Sequence, residues 1–374
     1  MSPPTILISA GEASSDMYAA RLAIALRART GAQFFGMGGA RMAEAGVELV
    51  ADYHEVAVVG IAEVLHKIPA VIGVQRRLAR EAARRRPALA ILVDSPGTHL
   101  GVARRLKNLG IPVGYFIGPQ VWAWRQGRVR VVKRLVNRMV VIFPFEENFY
   151  RDTGVPVNFV GHPLVDIVRP TMSRAEFVAK HGLDASLPIV TLLPGSRRGE
   201  IAQIYPRIVE ACEALKQDRK VQFVCAAAQG LDAELFSNYA RPGLEIKLVE
   251  QSTYDALAAA TCAIVASGTA TVEAALLGTP MIVVYRVAPA SAFLLRRMIR
   301  SPFIGMVNLI AGRKVVPELI QDRFTPSAVE SEVRRLLDSS VPREEVKAGL
   351  AEVRAKLGPG GAIERAADIF ARML

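Results

Sequence analysis

The sequence contains little cysteine, with three residues of this type in a chain of 374. Cys212, Cys225 and Cys262 lie far apart in apolar surroundings, and the sequence has no CxxC pair. Disulfide frameworks and structural zinc sites are built from closely spaced cysteines, so the sequence predicts neither of them. This usage is typical of a protein that works in a reducing compartment.

Targeting signals and long apolar runs are also lacking. The N-terminus, Met1-Ser2-Pro3-Pro4, has neither the basic region nor the apolar region of a secretory signal peptide. Segment 256–272, which is as long as any segment without charged residues in the chain, is interrupted by threonine, serine and glycine. Such a segment is more typical of a buried helix end and a strand than of a membrane span. The sequence therefore predicts a cytoplasmic protein without a transmembrane helix.

Acidic residues are fewer than basic ones. The chain has 35 Asp and Glu against 47 Lys and Arg, which gives a formal net charge of +12. This excess predicts an anionic partner, which could be a nucleotide, a nucleic acid or an acidic membrane. Aromatic residues make up 6% of the chain and do not alternate with the basic clusters. Nucleic acid is therefore the least favoured of the three partners.

Short apolar segments alternate with amphipathic segments along the whole chain. This alternation is typical of βαβ units, which form parallel sheets. The predicted strands cover 5–9, 89–93, 113–117 and 139–143 in the first half, and 189–193, 222–226, 262–266 and 281–285 in the second.

The pattern of strands restarts after Val160. A chain of this length with 51% hydrophobic residues is expected to form two domains. We predict one Rossmann-like domain over 1–162 and a second over 163–342. The C-terminal helices, 343–374, are expected either to return to the first domain or to be exchanged in a dimer. The glycine-rich break at 358–361 offers the hinge for either arrangement.

Two turns in the second half of the chain predict a nucleotide diphosphate site. The segments LLPGSRRGE (192–200) and IVASGTATVEAALLGTPMIVVY (264–285) each contain a strand, a turn of small residues and the start of a helix. Helix N-termini beyond the carboxyl ends of parallel strands bind anions. The candidate residues of the two turns are Gly195, Ser196, Arg197, Ser267, Gly268 and Thr269.

Three candidates for the nucleotide site also have structural alternatives. Arg197 can hold phosphate oxygens in a planar fork, or it can be an exposed arginine at a helix start. Glu273 can accept hydrogen bonds from ribose hydroxyls, or it can only stabilise the helix dipole. His162, in a Gly-His-Pro turn between the predicted domains, can donate to the diphosphate or hold the hinge.

Asp94 is the first candidate for catalysis. It follows the strongly apolar strand 89–93, where a partly desolvated carboxylate would have a raised pKa and could act as a general base. The alternative is that Asp94 is the N-cap of the next helix. Glu12 and Asp16 lie in the first βα loop, where they could orient the substrate that gives up its proton or assist the base. Asp16 could equally cap its own helix.

Apolar residues followed by arginines predict an interfacial segment between residues 56 and 86. The predicted membrane-facing residues are Val58, Val59, Ile61, Leu65 and Ile68, and the basic residues after them are Arg76, Arg77, Arg80, Arg84, Arg85 and Arg86. An apolar patch beside arginines suits an anionic lipid surface. The alternative is a core helix with a solvated basic end.

Eight motifs occur in a fixed order, and through them the chain resembles the lipid-A-disaccharide synthase family. The motifs are ISAGEASSD (8–16), FGMGG (35–39), GPQVWAWRQGR (118–128), FPFE (143–146), VGHPLVD (160–166), LLPGSRRGE, SGTATVE (267–273) and NLIAGRKVVPELIQ (308–321). Any one of these motifs is weak, whereas the ordered set is specific.

The resemblance implies the GT-B architecture, in which two Rossmann-like α/β domains face a cleft. It also implies an inverting hexosyltransferase of lipid A biosynthesis in Gram-negative bacteria. Such an enzyme transfers 2,3-diacylglucosamine from UDP-2,3-diacylglucosamine to 2,3-diacylglucosamine 1-phosphate. The family further implies peripheral attachment to the inner face of the cytoplasmic membrane and a homodimer. Neither a cofactor nor a metal ion is expected.

The resemblance also adds residues to the predicted site. It places Asn308 near the UDP-sugar, and Arg125 and His99 are candidates for the acceptor phosphate. The usual GEASGD and DAPDFN-like segments appear here with Ser15 and as DSPGTH (94–99), so Asp94 is the only carboxylate in the second segment. Two alternatives stay open: an isomerase similar to UDP-N-acetylglucosamine 2-epimerase, and a noncatalytic protein that binds a UDP-sugar or lipid.

Overall fold

The computed structural model describes residues 3–56, 61–119, 126–228, 230–287 and 302–374, without side chains at 61–66 and 126. The chain divides into two compact units. Unit 1 comprises Met1–Pro163 and Leu357–Leu374, and unit 2 comprises Leu164–Lys356. Each unit is built around its own parallel sheet, so the predicted α/β class is confirmed.

Unit 1 contains a sheet of seven strands in the order β3-β2-β1-β4-β5-β6-β7. The strands are β1 (Thr5–Ala10), β2 (Gln33–Gly38), β3 (Glu48–Asp52), β4 (Leu89–Val93), β5 (Val113–Phe116), β6 (Arg138–Val141) and β7 (Val157–Phe159). The helices that precede unit 2 are α1 (Ala13–Thr30), α2 (Ala40–Glu44), α3 (Ile61–Arg85), α4 (Pro96–Asn108), α5 (Val129–Leu135) and α6 (Pro144–Asp152).

Unit 2 contains a sheet of six strands in the order β10-β9-β8-β11-β12-β13. The strands are β8 (Ile189–Leu193), β9 (Gln222–Ala227), β10 (Ile246–Glu250), β11 (Cys262–Ala266), β12 (Met281–Tyr285) and β13 (Glu318–Ile320). The described helices are α7 (Leu164–Ile167), α8 (Arg174–Lys180), α9 (Arg198–Lys216), α10 (Glu234–Ser237), α11 (Thr253–Ala259), α12 (Thr269–Leu276), α13 (Met306–Ala311), α14 (Pro326–Asp338) and α15 (Ser340–Lys356). The last helix of the chain, α16 (Ala362–Ala371), belongs to unit 1.

Both faces of the unit 1 sheet are covered, which explains why β4 reads as a continuous apolar run. Tyr115 of β5 joins the core beneath α3, α4 and α5. The next residue, Phe116, points to the opposite face and contacts Phe370 of α16 at a ring distance of 6.5 Å. Phe370 also explains Gly114, because a Cβ atom there would lie 2.4 Å from the Phe370 ring.

Helix α3 contains the predicted interfacial segment. Val74, Leu78 and Ala82 are buried at helical spacing against the sheet, so this half of α3 is a core helix with a solvated basic side. Ile68 is 43% exposed. Val58 and Val59 lie outside the described residues, as do the side chains of Ile61 and Leu65. Among the described residues, no helix is long and apolar enough to cross a membrane.

The chain leaves unit 1 after Pro163 and returns to it at Leu357. Arg365 of α16 connects the segment before the exit with the segment after the return. Its guanidinium donates to the Val160 carbonyl at 2.6 and 3.0 Å and to the Pro359 carbonyl at 3.0 Å. Helix α15 stays in unit 2. The return therefore begins at 357, whereas the sequence-based division placed the C-terminal segment from 343.

Candidate active site

The candidate residues lie at equivalent positions in the two sheets. In unit 1, β1 and β4 are neighbours near the centre of the sheet. Strands β2 and β3 lie on one side of this pair, and β5 to β7 lie on the other. In unit 2, β8 and β11 are the corresponding central pair. The crevice beyond the carboxyl ends of two such strands is the usual ligand site of an open α/β sheet. Asp94 and Glu12 follow β4 and β1, while the two predicted phosphate turns follow β8 and β11.

Asp94 has a left-handed backbone with φ of 52°, and Ser95 follows with φ of 49°. Left-handed conformations at residues other than glycine cost about 1–3 kcal/mol each and persist only where the surroundings enforce them. The carbonyl of Asp94 accepts hydrogen bonds from Tyr115 Oη at 2.6 Å and from His99 Nδ1 at 2.7 Å. The Asp94 N–H donates to the Phe116 carbonyl at 3.0 Å. The backbone of Asp94 is thus held on both sides.

The loops after β1 and β4 pack closely against each other. A Cβ atom at Gly11 would lie 2.4 Å from Ser95 Oγ, so the first loop needs glycine at this position. Burial and, to a smaller extent, the negative charge of Glu12 together raise the pKa of Asp94 to about 7. The N-cap position of α4 is Ser95, so Asp94 is not the cap of that helix.

Glu12 occupies the N-cap position of α1 and is partly buried. Its Oε1 accepts a hydrogen bond from Ser14 Oγ at 2.5 Å. Ser15 Oγ accepts from the backbone N–H groups of Gly11 and Glu12 at 3.1 and 3.0 Å. The serine that departs from the usual motif therefore stabilises the loop that carries Glu12.

Asp16 has a different environment from Glu12. It is 3% exposed, and its Oδ1 accepts from the N–H groups of Gly39 and Met42 at 2.7 and 3.3 Å. Its Oδ2 accepts from the N–H of Arg41 at 3.2 Å. Asp16 thus caps α2 and not, as the structural alternative had it, its own helix. Both carboxylate oxygens of Asp16 are engaged by backbone donors.

His99, a candidate for the acceptor phosphate, lies inside unit 1. The side chain is fully buried, and its Nε2 is 2.9 Å from Ser9 Oγ while its Nδ1 donates to Asp94. Burial lowers the pKa of His99 to about 4, so the ring is neutral at pH 7. The first turn of α4 directs this side chain towards the sheet, and the contact of His99 with the acceptor phosphate stays a prediction. Arg125 lies outside the described residues.

The first predicted phosphate turn of unit 2 holds an internal carboxylate. Glu200 Oε2 accepts from the N–H of Ser196 at 3.2 Å, and Glu200 Oε1 accepts from Arg197 Nη1 at 3.1 Å. Gly195 has φ of 129°, and a Cβ atom there would lie 2.9 Å from Glu200. Arg197 is 49% exposed. The groups predicted to bind phosphate thus already bind the carboxylate of Glu200.

The second turn of unit 2 lies beside the first. Ser267 and Gly268 precede α12, which begins at Thr269 without a side-chain cap hydrogen bond. Glu273, one turn into this helix, accepts a hydrogen bond from Tyr254 Oη at 3.2 Å. Burial raises the pKa of Glu273. Because β8 and β11 are hydrogen-bonded neighbours, both turns lie at the same edge of the sheet.

Asn308 is fully buried and its side chain bonds within unit 2, so its predicted contact with the UDP-sugar stays a prediction. Its Nδ2 donates to the Val316 carbonyl at 2.9 Å and to Glu318 Oε1 at 2.8 Å. Its Oδ1 accepts from the N–H groups of Val315 and Val316 at 2.7 and 3.0 Å. Every polar atom of this side chain is used within unit 2.

His162 is 2% exposed and packs against Phe143 and Tyr18, at ring distances of 5.2 and 6.5 Å. Burial lowers the pKa of His162 to about 3. Its backbone N–H donates to the Leu357 carbonyl at 2.9 Å, where the chain returns to unit 1. These contacts match the hinge alternative, and the contact with the diphosphate stays a prediction.

Three residues at these sites were not predicted from the sequence: Tyr115, Glu200 and Tyr254. Tyr115 lies in an apolar strand and Tyr254 in a short helix, and no local pattern distinguishes them from packing residues. Glu200 belongs to the LLPGSRRGE motif, but the motif does not indicate that its carboxylate contacts Ser196 and Arg197. Within the described ranges, no group of His, Cys, Asp or Glu side chains is placed to hold a metal ion.

Comparison with solved structures identifies the architecture. The chain is similar to UDP-GlcNAc 2-epimerase from Neisseria meningitidis bound to UDP-GlcNAc, with a TM-score of 0.69, 13% identity and coverage of 98% of this chain and 100% of that one. MurG from Acinetobacter baumannii gives a TM-score of 0.61 at 14% identity, with coverage of 98% and 99%. At such identities the likeness shows the fold alone, which is that of GT-B glycosyltransferases.

Comparison of sequences identifies the family. The model of the lipid-A-disaccharide synthetase family matches residues 6–366. Lipid-A-disaccharide synthase of Myxococcus xanthus is 47% identical over 100% of this chain and 98% of that protein. The synthase of Geobacter metallireducens is 46% identical over 99% and 97%. The chain therefore belongs to the lipid-A-disaccharide synthase family of glycosyltransferases.

Proposed function

We propose that the chain transfers 2,3-diacylglucosamine from UDP-2,3-diacylglucosamine to the 6-hydroxyl of 2,3-diacylglucosamine 1-phosphate. The acceptor oxygen forms a bond to the donor C1, the bond from C1 to the diphosphate breaks, and the hydroxyl proton passes to a base. The products are the β-1′,6-linked disaccharide 1-phosphate and UDP. The observation that carries this proposal is the match to one family along nearly the whole chain.

Asp94 is our choice for the general base. Direct displacement with inversion needs a base at the acceptor hydroxyl and no covalent enzyme intermediate. A base whose pKa lies near 7 is deprotonated often enough to act and still basic enough to accept a proton. Burial and the neighbouring Glu12 provide this pKa. Glu12 itself would orient the acceptor, whereas the backbone contacts of Asp16 support a purely structural role.

The unit 2 turns are our choice for the UDP moiety. The diphosphate would replace the carboxylate of Glu200 at the N–H of Ser196 and at the Arg197 guanidinium, both of which already bind an anion. The N-terminal turn of α12 would bind a second phosphate oxygen. Glu273 would accept from the ribose hydroxyls, held in place by Tyr254. These donors would stabilise the charge that develops on departing UDP.

A basic face of unit 1 supports attachment to the inner face of the cytoplasmic membrane. Helices α3, α4 and α5 pack side by side on one face of the sheet. Their exposed basic residues include Arg76, Arg80, Arg84, Arg104, Lys107, Arg130, Lys133 and Arg134. The described parts of α4 and α5 contain no acidic residue that would offset this charge. Anionic lipid headgroups attract such a face, and diacylated substrates reside in that membrane.

The homodimer with exchanged C-terminal segments also stays a prediction. In the structure, α16 packs on α1 of the same chain, and Arg29 Nε donates to Asp368 Oδ1 at 2.6 Å. An exchanged dimer would form the same contacts between two chains. The glycines at 358 and 361, with φ of 84° and 83°, are the turn residues that such an exchange would alter.

We expect Asp94→Asn to lower the rate of disaccharide synthesis strongly while donor binding is kept. The change removes the base without altering side-chain volume, and loss of a general base typically lowers the rate by about 10²–10⁴-fold. The measurement is acceptor-dependent UDP release in detergent, with UDP affinity measured separately. Asp152→Asn, an exposed residue of α6, is the matched control. Release by Asp94→Asn within threefold of wild type would contradict the assignment, and wild type that binds UDP without any turnover would indicate a binding protein.

We expect Asp16→Asn to keep most of the activity and Asp16→Ala to lose stability. Asparagine retains one oxygen that can accept from the Gly39 N–H, whereas alanine leaves three backbone donors without their acceptor. Loss of a cap of this kind costs about 1–2 kcal/mol in the free energy of unfolding. Urea unfolding and UDP release would be measured on both variants. A stable Asp16→Asn protein with activity reduced a hundredfold would instead place Asp16 in the chemistry.

We expect the double variant Arg80→Gln, Arg104→Gln to bind anionic vesicles more weakly. Each basic residue near an anionic surface contributes about 1 kcal/mol, so the loss should be about 30-fold. Co-sedimentation with phosphatidylglycerol vesicles measures it. Arg219→Gln, Arg335→Gln removes the same charge from unit 2, where these arginines pair with Asp338 and Glu332. Equal losses in the two double variants would show that net charge, and not the basic face, governs binding.

A further inference from the structure

Two buried donors converge on the carbonyl of Asp94. Tyr115 Oη reaches it from the neighbouring strand β5 at 2.6 Å, and His99 Nδ1 reaches it from the first turn of α4 at 2.7 Å. Both side chains are fully buried, and their rings meet edge to face at 6.3 Å. A backbone carbonyl has two lone pairs, and here a buried side-chain donor occupies each of them.

The contact with Ser9 sets the orientation of the His99 ring. His99 Nε2 lies 2.9 Å from Ser9 Oγ of β1, and both residues are fully buried. Because the Asp94 carbonyl can only accept, Nδ1 carries the proton and Nε2 accepts from the Ser9 hydroxyl. Burial holds the pKa of His99 at about 4 and the pKa of Tyr115 well above its usual value. Both donors therefore keep their protons throughout the pH range in which a base at Asp94 would act.

We propose that Tyr115 and His99 are positioning residues, which hold Asp94 in its left-handed conformation and thereby direct its carboxylate towards the acceptor. This inference rests on the proposed function of Asp94 as the base. Along β4 the side chains alternate between the two faces of the sheet, and all five strand residues are buried. The left-handed backbone at 94 ends this alternation, so the carboxylate leaves the sheet core and lies near Glu12 in the loop after β1.

Without the two donors, the backbone at 94 and 95 would be free to relax towards an ordinary conformation. The carboxylate would then lose its fixed direction, and the loop contact between Ser95 and Gly11 would loosen. A misplaced base loses rate at the chemical step, whereas donor binding in unit 2 does not involve these residues. The proposal thus predicts a loss in kcat with little change in the donor KM.

The first test uses Tyr115→Phe, which removes one hydroxyl and keeps the ring. We expect kcat for UDP release to fall 10- to 100-fold, with the donor KM within twofold of wild type. The acidic limb of the pH profile should move below 7, because a relaxed Asp94 regains solvent. Tyr150→Phe is the matched control, since Tyr150 is also fully buried and donates to a backbone carbonyl, that of Pro119, at 2.7 Å. A pH profile shifted equally in both variants would overturn the proposal.

A double variant separates positioning from general damage to the fold. If Tyr115 acts through Asp94, then Tyr115→Phe should lower the residual rate of Asp94→Asn by less than twofold. If Tyr115→Phe lowers the rate of Asp94→Asn by the same factor as it lowers the rate of wild type, the proposal is wrong. His99→Asn keeps an amide donor near the position of Nδ1 and should retain more activity than His99→Leu. Equal activity of these two His99 variants would also count against it.

A readout independent of turnover separates this proposal from the proposed function. Carboxyl NMR titration of labelled aspartates reports the pKa of Asp94 whether or not the protein makes disaccharide. We expect this pKa to fall in Tyr115→Phe and to stay unchanged in Tyr150→Phe. If wild type releases no UDP but this difference is found, the proposed reaction fails while the positioning role holds. An unchanged Asp94 pKa in Tyr115→Phe would overturn the positioning role itself.

Discussion

The left-handed turn at Asp94 is the constraint on which the active-site geometry of unit 1 depends. Its carbonyl is held by Tyr115 and His99, its N–H by β5, and the following serine packs against Gly11. Strands β1, β4 and β5 all contribute to these contacts, so the position of the carboxylate is set by the central part of the sheet. Burial of an ionisable carboxylate at this place is unfavourable for stability and favourable for proton transfer, which is a common compromise at catalytic sites.

The two units have the same arrangement of central strands and differ in the groups that follow those strands. In each sheet the strand order runs outward in opposite directions from two central strands. The loops that follow those two strands contain the groups that we propose for the reaction. Unit 1 places carboxylates there, as expected where a hydroxyl proton must be removed. Unit 2 places backbone N–H groups and Arg197 there, as expected where a diphosphate must be bound. The carboxylate of Glu200 binds the N–H of Ser196 and the guanidinium of Arg197, the two donors that we propose for the diphosphate.

The sequence alone predicted eight strands at the centres of the sheets, because central parallel strands are continuous apolar runs. Strands β3, β7, β10 and β13 were missed because they lie at the edges and are only partly buried. Strand β2 was missed because its glycines are typical of a turn. Gly36 is instead required by close packing between strands, since a Cβ atom there would lie 1.7 Å from the Ile8 carbonyl oxygen. The position of Asp94 followed from the pattern, whereas the inward direction of His99 and Asn308 depends on neighbours distant in sequence.

The folded structure opposes ionisation of Asp94, and the stability of Asp94→Asn relative to wild type is the direct measurement of this effect. In wild type the pKa of Asp94 is raised to about 7 in the folded state from 3.8, so ionisation lowers stability as pH rises through this interval. Asparagine does not ionise. We predict that Asp94→Asn gains stability over wild type between pH 4 and 7, by roughly 1.4 kcal/mol per pH unit at most, with a plateau above pH 7. A stability difference that is flat with pH, or that favours wild type at pH 8, would show that folding does not raise the pKa of Asp94.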